Sequence, residues 1–194
     1  VRAKPAATLM MGLLTKVASE TARASIASGL FFDDLKAFSK KRRRGRGFSY
    51  ETETIWLDAE ARGSAEFTKV VESGRAFADT LEKAVGTAQE AAAAIAEPAS
   101  GDQGLLDRLN EFNAASGELA NLLEALRLCV EGDDRQYVYS AAGTQRTGFE
   151  AYELVAERLD VGGQLADVWY PETSSVVYSS ATIAVGDKFD HFDH

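Results

Sequence analysis

The sequence predicts an α+β fold that is mainly α, a long antiparallel helical hairpin plus a small β-sheet formed by C-terminal segments. Three patterns in the 194 residues carry that expectation. Between Ala61 and Ala96, the residues Phe67, Gly74, Leu81, Ala88 and Ile95 recur at heptad spacing, with Val70, Phe77, Ala84 and Ala91 as a companion row. A second seam runs through Leu105, Leu109, Phe112, Ser116, Leu119, Leu123, Leu126 and Val130. After Asp133-Asp134 the apolar period shortens from about 3.6 to 2, the repeat of a strand.

Taken in order, Pro5 to Ser28 reads as a helix with Leu9, Leu13 and Val17 on one face, and Gly29 is its expected end. A second helix is expected next, with Asp33 and Asp34 early and Lys40 and Lys41 late, the order that the helix dipole favours. Tyr50 to Leu57 partly alternates and suits a short strand or an extended connector. The two seams then require two helices broken by Pro98, Ser100 and Gly101 and stopped by Gly132. Folding back antiparallel is the arrangement that takes both seams out of water together. The small residues Gly74, Ala84, Ala88 and Ala91 suit a close approach of the two helices. Residues 136 to 159 read as a β-hairpin with a turn between Gly143 and Gly148. Val161 to Tyr170 is expected to be helical, with Leu165, Val168 and Trp169 inward and Pro171 closing it. An apolar strand at Ser174 to Ser180 and a last helix opening at Asp187 complete the expectation.

Composition narrows the function. A net charge of −9 makes the chain as a whole unattractive to nucleic acid, so any such attraction must be local. One cysteine, Cys129, excludes an internal disulfide and a four-cysteine zinc or iron–sulfur site within this chain. No apolar run reaches the roughly 20 residues of a membrane span, no membrane partner is expected, and the cytoplasm is the expected location. The start on Val1 and the stop at His194 suggest a piece of something longer.

The local exception to the acidic balance is Lys40-Lys41-Arg42-Arg43-Arg44-Gly45-Arg46, six cations in seven positions. Such a cluster can hold phosphates with release of counterions, and Phe48 and Tyr50 beside it could stack on unpaired bases. The competing expectation is a solvated stretch, or one neutralised by the protein's own acids. Glu150, Glu153 and Glu157 are expected to line one solvated strand face.

No catalytic residues are expected. The sequence has no Gly-x-x-x-x-Gly-Lys-[Ser/Thr] phosphate loop and no Asp-Glu-x-His box, and His191 and His194 are its only histidines. Both lie at the C-terminal end, and neither is expected to serve as the base of a nucleophilic serine.

The C-terminal run carries a resemblance. Ser180-Ala181-Thr182-Ile183, on the apolar segment Val176-Val177-Tyr178, resembles the SAT motif of superfamily-two helicases. The approach Leu159-Asp160-Val161-Gly162-Gly163-Gln164-Leu165 and then Trp169-Tyr170 is similar to that of the DinG/XPD-like branch. That family carries a helical, Arch-like insertion between its acidic box and SAT, the position held here by the helical hairpin. The resemblance implies a fragment of an ATP-dependent DNA helicase, with ATP and Mg²⁺ bound by the rest of the motor and no cofactor in this piece. It implies that Ser180, Ala181 and Thr182 couple the nucleotide site to the DNA grip. Single-stranded DNA would be the partner of Lys40, Lys41, Arg42, Arg43, Arg44, Arg46, Phe48 and Tyr50. On that organisation residues 1–58 form N-terminal helices and the basic loop, 59–132 the hairpin insertion, and 133–194 a part of the motor domain. The alternative is a stand-alone helical hairpin that docks a protein partner through its outer face.

Overall fold

The computed structural model describes residues 3–42, 52–146, 149–160 and 162–175. It is mainly helical, with one small antiparallel sheet, as the periodicities require. The chain divides into two compact units, Val1–Glu157 and Arg158–His194.

The first unit begins with α1, Ala3–Arg42, a single helix of 40 residues and so roughly 60 Å long. Gly29 was expected to divide this stretch, and it does not. Gly29 lies in the helix with nothing within 4 Å of where a Cβ would stand. A mid-helix glycine costs about 1 kcal/mol relative to alanine. Ala24 before it and Phe31, Leu35 and Phe38 after it all enter the same core, and each large side chain buried there returns about 1.5–3 kcal/mol. Continuity of that buried face outweighs the glycine.

The hairpin forms as the seams require. After β1 (Thr52–Trp56) and the single turn α2 (Ala59–Arg62) comes α3, Ala65–Ala99. Ser64 starts α3 by accepting from the Phe67 amide at 3.3 Å. Pro98 sits in the last turn, where few ladder bonds remain to be lost. α4, Gln103–Glu131, opens on Asp102, whose carboxylate accepts from the Leu105 amide. It closes on Gly132, left-handed at φ 56°, whose amide donates to the Leu128 carbonyl. Arg75–Glu131 and Glu82–Arg127 ion pairs near one end, and the Ile95–Leu109 contact near the other, show the antiparallel pairing. Both α1 and α4 pack on α3. At Gly74 a Cβ would lie 2.6 Å from Val130 and 3.3 Å from Phe31, so the missing side chain lets three helices meet.

The sheet differs from expectation in two respects. It is not built from C-terminal segments alone, because β1 pairs antiparallel with β2 (Tyr137–Arg146), with Ile55 opposite Ala141 and Thr52 opposite Thr144. β3, Phe149–Arg158, completes the order β1-β2-β3. The expected turn from Gly143 to Gly148 is shorter as well: pairing with β1 holds Gly143 and Thr144 in the strand. Tyr139 and Ala141 on β2, and Tyr152, Leu154 and Ala156 on β3, bring the sheet against Phe38, Phe67 and Val70 of the helices.

Arg62 fastens this junction. Its guanidinium lies 5.3 Å from the Phe67 ring centre and 5.0 Å from that of Tyr139, beside Gly132. Burial lowers its pKa, and its Nη2 is buried with no hydrogen-bond partner.

In the second unit the expected helix from Val161 to Tyr170 is not continuous. A short α turn at Gly162–Gln164 widens into a π turn at Leu165–Trp169 and tightens into a 3₁₀ turn at Tyr170–Glu172. Two glycines weaken its start, and Pro171 supplies no amide to prolong it. Val168 and Trp169 are exposed rather than inward. Ser174 and Ser175 are not in a strand, and the remainder of the expected strand and the helix from Asp187 lie outside the described residues.

Candidate nucleic-acid interface

The cationic end of α1 is where local positive charge meets the fold. Lys40, Lys41 and Arg42 occupy its last turn, the end at which the helix dipole favours cations. Lys36 stands one turn earlier on the same face as Lys40.

Each of these cations has an acidic partner within the chain. Glu150, near the start of β3, bridges two lysines: Lys36 Nζ stands 2.6 Å from its Oε2 and Lys40 Nζ 3.1 Å from its Oε1. Lys41 pairs with Glu66. Arg42 Nη1 lies 3.4 Å from Glu60 Oε1, and its Nη2 donates to the Glu60 carbonyl at 3.2 Å. Neutralisation by the protein's own acids, the competing expectation, therefore describes these positions. The pairs are solvent-exposed, and screening by water leaves such pairs weak, so they order the side chains without locking them.

The acids respond as the geometry requires. Hydrogen bonds from Lys36 and then Lys40 hold the Glu150 carboxyl down at about 2. Glu66 is lowered by the hydrogen bond from Lys41. Lys36 is raised by Glu150. The expectation that Glu150, Glu153 and Glu157 share a solvated strand face is corrected here. Side chains alternate along a strand, so Glu150 falls with Tyr152, Leu154 and Ala156 on the face toward the core, whereas Glu153 and Glu157 fall on the other.

Two residues of this neighbourhood escaped the sequence reading. Lys36 lies outside the dense run, and only its four-residue spacing from Lys40 marks it. Tyr152 was read as a strand residue of the hairpin; its ring centre lies 6.0 Å from Lys36 Nζ, and its hydroxyl donates to Glu150 Oε2 at 3.4 Å.

Tyr152 also lines a half-open pocket of about 460 Å³ between α1, α3, α4 and β3. Phe31, Phe32 and Phe77 supply its other rings, and Cys129 lines it from α4. Burial pushes the Cys129 thiol up, and its Sγ lies 3.8 Å from the Leu154 carbonyl oxygen.

Arg43, Arg44, Arg46, Phe48 and Tyr50 lie outside the described residues, as do Ser180, Ala181 and Thr182 and both histidines. Among the described residues no group of three His, Cys, Asp or Glu side chains is placed to hold a metal ion. The sequence itself contains neither Gly-x-x-x-x-Gly-Lys-[Ser/Thr] nor Asp-Glu-x-His. Among the described residues no helix is long and apolar enough to cross a membrane. Comparison with protein-family models, with curated proteins and with solved structures finds no match.

Proposed function

We propose that this chain is a fragment of an ATP-dependent, DinG/XPD-like DNA helicase that contributes single-stranded DNA contacts and the SAT coupling motif, with no catalysis of its own. The single observation that carries this reading is the basic run from Lys40 to Arg46, which begins on the last turn of α1 in a chain of net charge −9. A cation cluster retained against an acidic background is suited to a polyanion, and Phe48 and Tyr50 follow it in sequence. The SAT-like residues Ser180, Ala181 and Thr182 supply the link to the motor. ATP and Mg²⁺ belong on this reading to the remainder of the motor, which is also the protein partner, and the cytoplasm is the working location.

Titration of labelled single-stranded DNA at two salt concentrations tests it, comparing the parent chain with one carrying Arg42→Ala, Arg43→Ala and Arg44→Ala. The parent should bind weakly and lose affinity with salt. The triple variant should bind more weakly still, with a salt dependence flatter by roughly 0.7 for each phosphate that is no longer neutralised. Salt-independent binding, or binding unchanged in the variant, would remove the basic run from the account.

A second reading, a protein-interaction module, draws on one observation. Met11, Ile26 and Leu30 are exposed on α1, an outer face of the kind that docks partners. This reading takes Met11, Ile26 and Leu30 of α1 as its docking surface, where the sequence suggested the outer face of the hairpin.

A further inference from the structure

We propose that the aromatic pocket and the Lys36–Lys40 pair form one site for a nucleotide unit. The pocket takes an unpaired base, the two ammonium groups take its phosphate, and Glu150 occupies the phosphate position until nucleic acid displaces it. This deepens the proposed function and rests on that reading, since it names which groups beyond the basic run meet the strand.

Three observations converge on it. The first is connection. Tyr152 both lines the pocket and lies beneath Lys36, and Phe32 of the pocket precedes Lys36 by one helical turn. The rings and the cations therefore belong to one place on the surface of the first unit. The second is the chemistry of the pocket. Its volume of about 460 Å³ suits a small flat molecule, and four rings offer faces and edges to it. Among the described residues its lining carries no cation that could hold an anion inside. A ligand with one aromatic and one anionic part would thus put the ring among Phe31, Phe32 and Phe77 and leave the charge to the lysines. The third is Glu150. Its two oxygens accept from two lysines one turn apart, the same donors that two oxygens of a phosphate would take. Because the pairs are exposed and weak, a phosphate can replace the carboxylate at little cost. Glu150 then swings to solvent while the lysines keep an anionic partner.

The site differs from the basic run in being readable by its one cysteine. Cys129 lines the pocket and is the sole thiol of the chain, so its rate of alkylation reports whether the pocket is filled.

The test titrates a short labelled oligo(dT), and separately thymidine 5′-monophosphate, against the parent and three variants, each shown by circular dichroism to be fully folded at the assay temperature. The paired change Lys36→Gln and Lys40→Gln should weaken oligonucleotide binding and flatten its salt slope by roughly 0.7, the value for the one phosphate that the pair neutralises. Glu150→Gln should tighten binding about two- to fivefold, the expectation for freeing two weakly paired cations. Leu122→Trp adds bulk at the exposed α4 wall of the pocket; it should weaken binding about tenfold with the salt slope unchanged, because stacking carries no charge.

Bound oligonucleotide should slow alkylation of Cys129 in the parent. Protection by the mononucleotide as well would assign the site to free nucleotides and strands alike; protection by the oligonucleotide alone would assign it to strands. If these variants bind like the parent while the Arg42–Arg44 triple variant is weakened, the pocket site is wrong and the proposed function stands. If no oligonucleotide binds the parent at low salt, both fall. Protection of Cys129 by a fatty-acid anion but by neither nucleotide probe would also overturn the assignment.

Discussion

At the scale of single residues, Gly132 and Arg62 are the most constrained pair in the first unit. Gly132 is the described glycine with positive φ, and a Cβ there would collide with the Arg62 guanidinium. Left-handed backbone costs a non-glycine residue roughly 1–2 kcal/mol before any clash. Gly132→Ala should therefore destabilise the chain by about 2–4 kcal/mol, through the backbone and through expulsion of Arg62 from between Phe67 and Tyr139. Urea unfolding of the two proteins measures it, and a loss below about 1 kcal/mol would mean that Arg62 has another comfortable position. The left-handed stop at Gly132 was legible in the sequence, because a glycine after a long apolar seam has a specific backbone use. The ring sandwich around Arg62 was not, because Phe67 and Tyr139 come to it from distant parts of the chain.

At the scale of elements, the heptad seams translated directly into α3 and α4: Phe67, Val70, Leu81, Ala84 and Ala91 are all buried. A seam is legible because its spacing and its burial are the same fact. α1 was harder. Local propensity favours a break at Gly29, while the packing of Phe31, Leu35 and Phe38 that overrides it depends on where α3 lies. Gly29→Ala should accordingly stabilise the chain by about 0.5–1 kcal/mol, since the site is open and already helical. A thermal melt measures this, and a destabilised variant would restore the break. Strand β1 was ambiguous for a similar reason. Five residues carry little periodic signal, and their partner, β2, follows the whole helical hairpin. Of the candidate site, the basic run was visible as composition, whereas Lys36, Tyr152 and the pocket exist only through tertiary contacts.

At the scale of the whole molecule, the acidic balance goes partly to restraining the chain's own cations. The Glu150 clasp joins the end of α1 to β3, and its pH dependence follows in sign from its depressed carboxyl. A carboxyl held at about 2 against an ordinary 4.5 contributes stability that is complete above 4.5 and is lost as pH falls toward 2. The raised Lys36 acts at the other extreme, its contribution vanishing as pH rises through its elevated value. The stability difference between the parent and Glu150→Gln should hence be level from about pH 5 to 7 and shrink below 4.5. Urea midpoints across that range measure it, and a difference that grows on acidification would reverse the assignment.

The chain contains only two tryptophans, Trp56 at the end of β1 and Trp169 in the π turn, and they fall in different compact units. At 57% and 58% exposure both indoles meet water. Intrinsic fluorescence therefore carries two channels, one native to each unit, and replacing either indole with phenylalanine isolates the other. Quenching by a neutral solute would then follow each unit separately, with no dye attached to the protein.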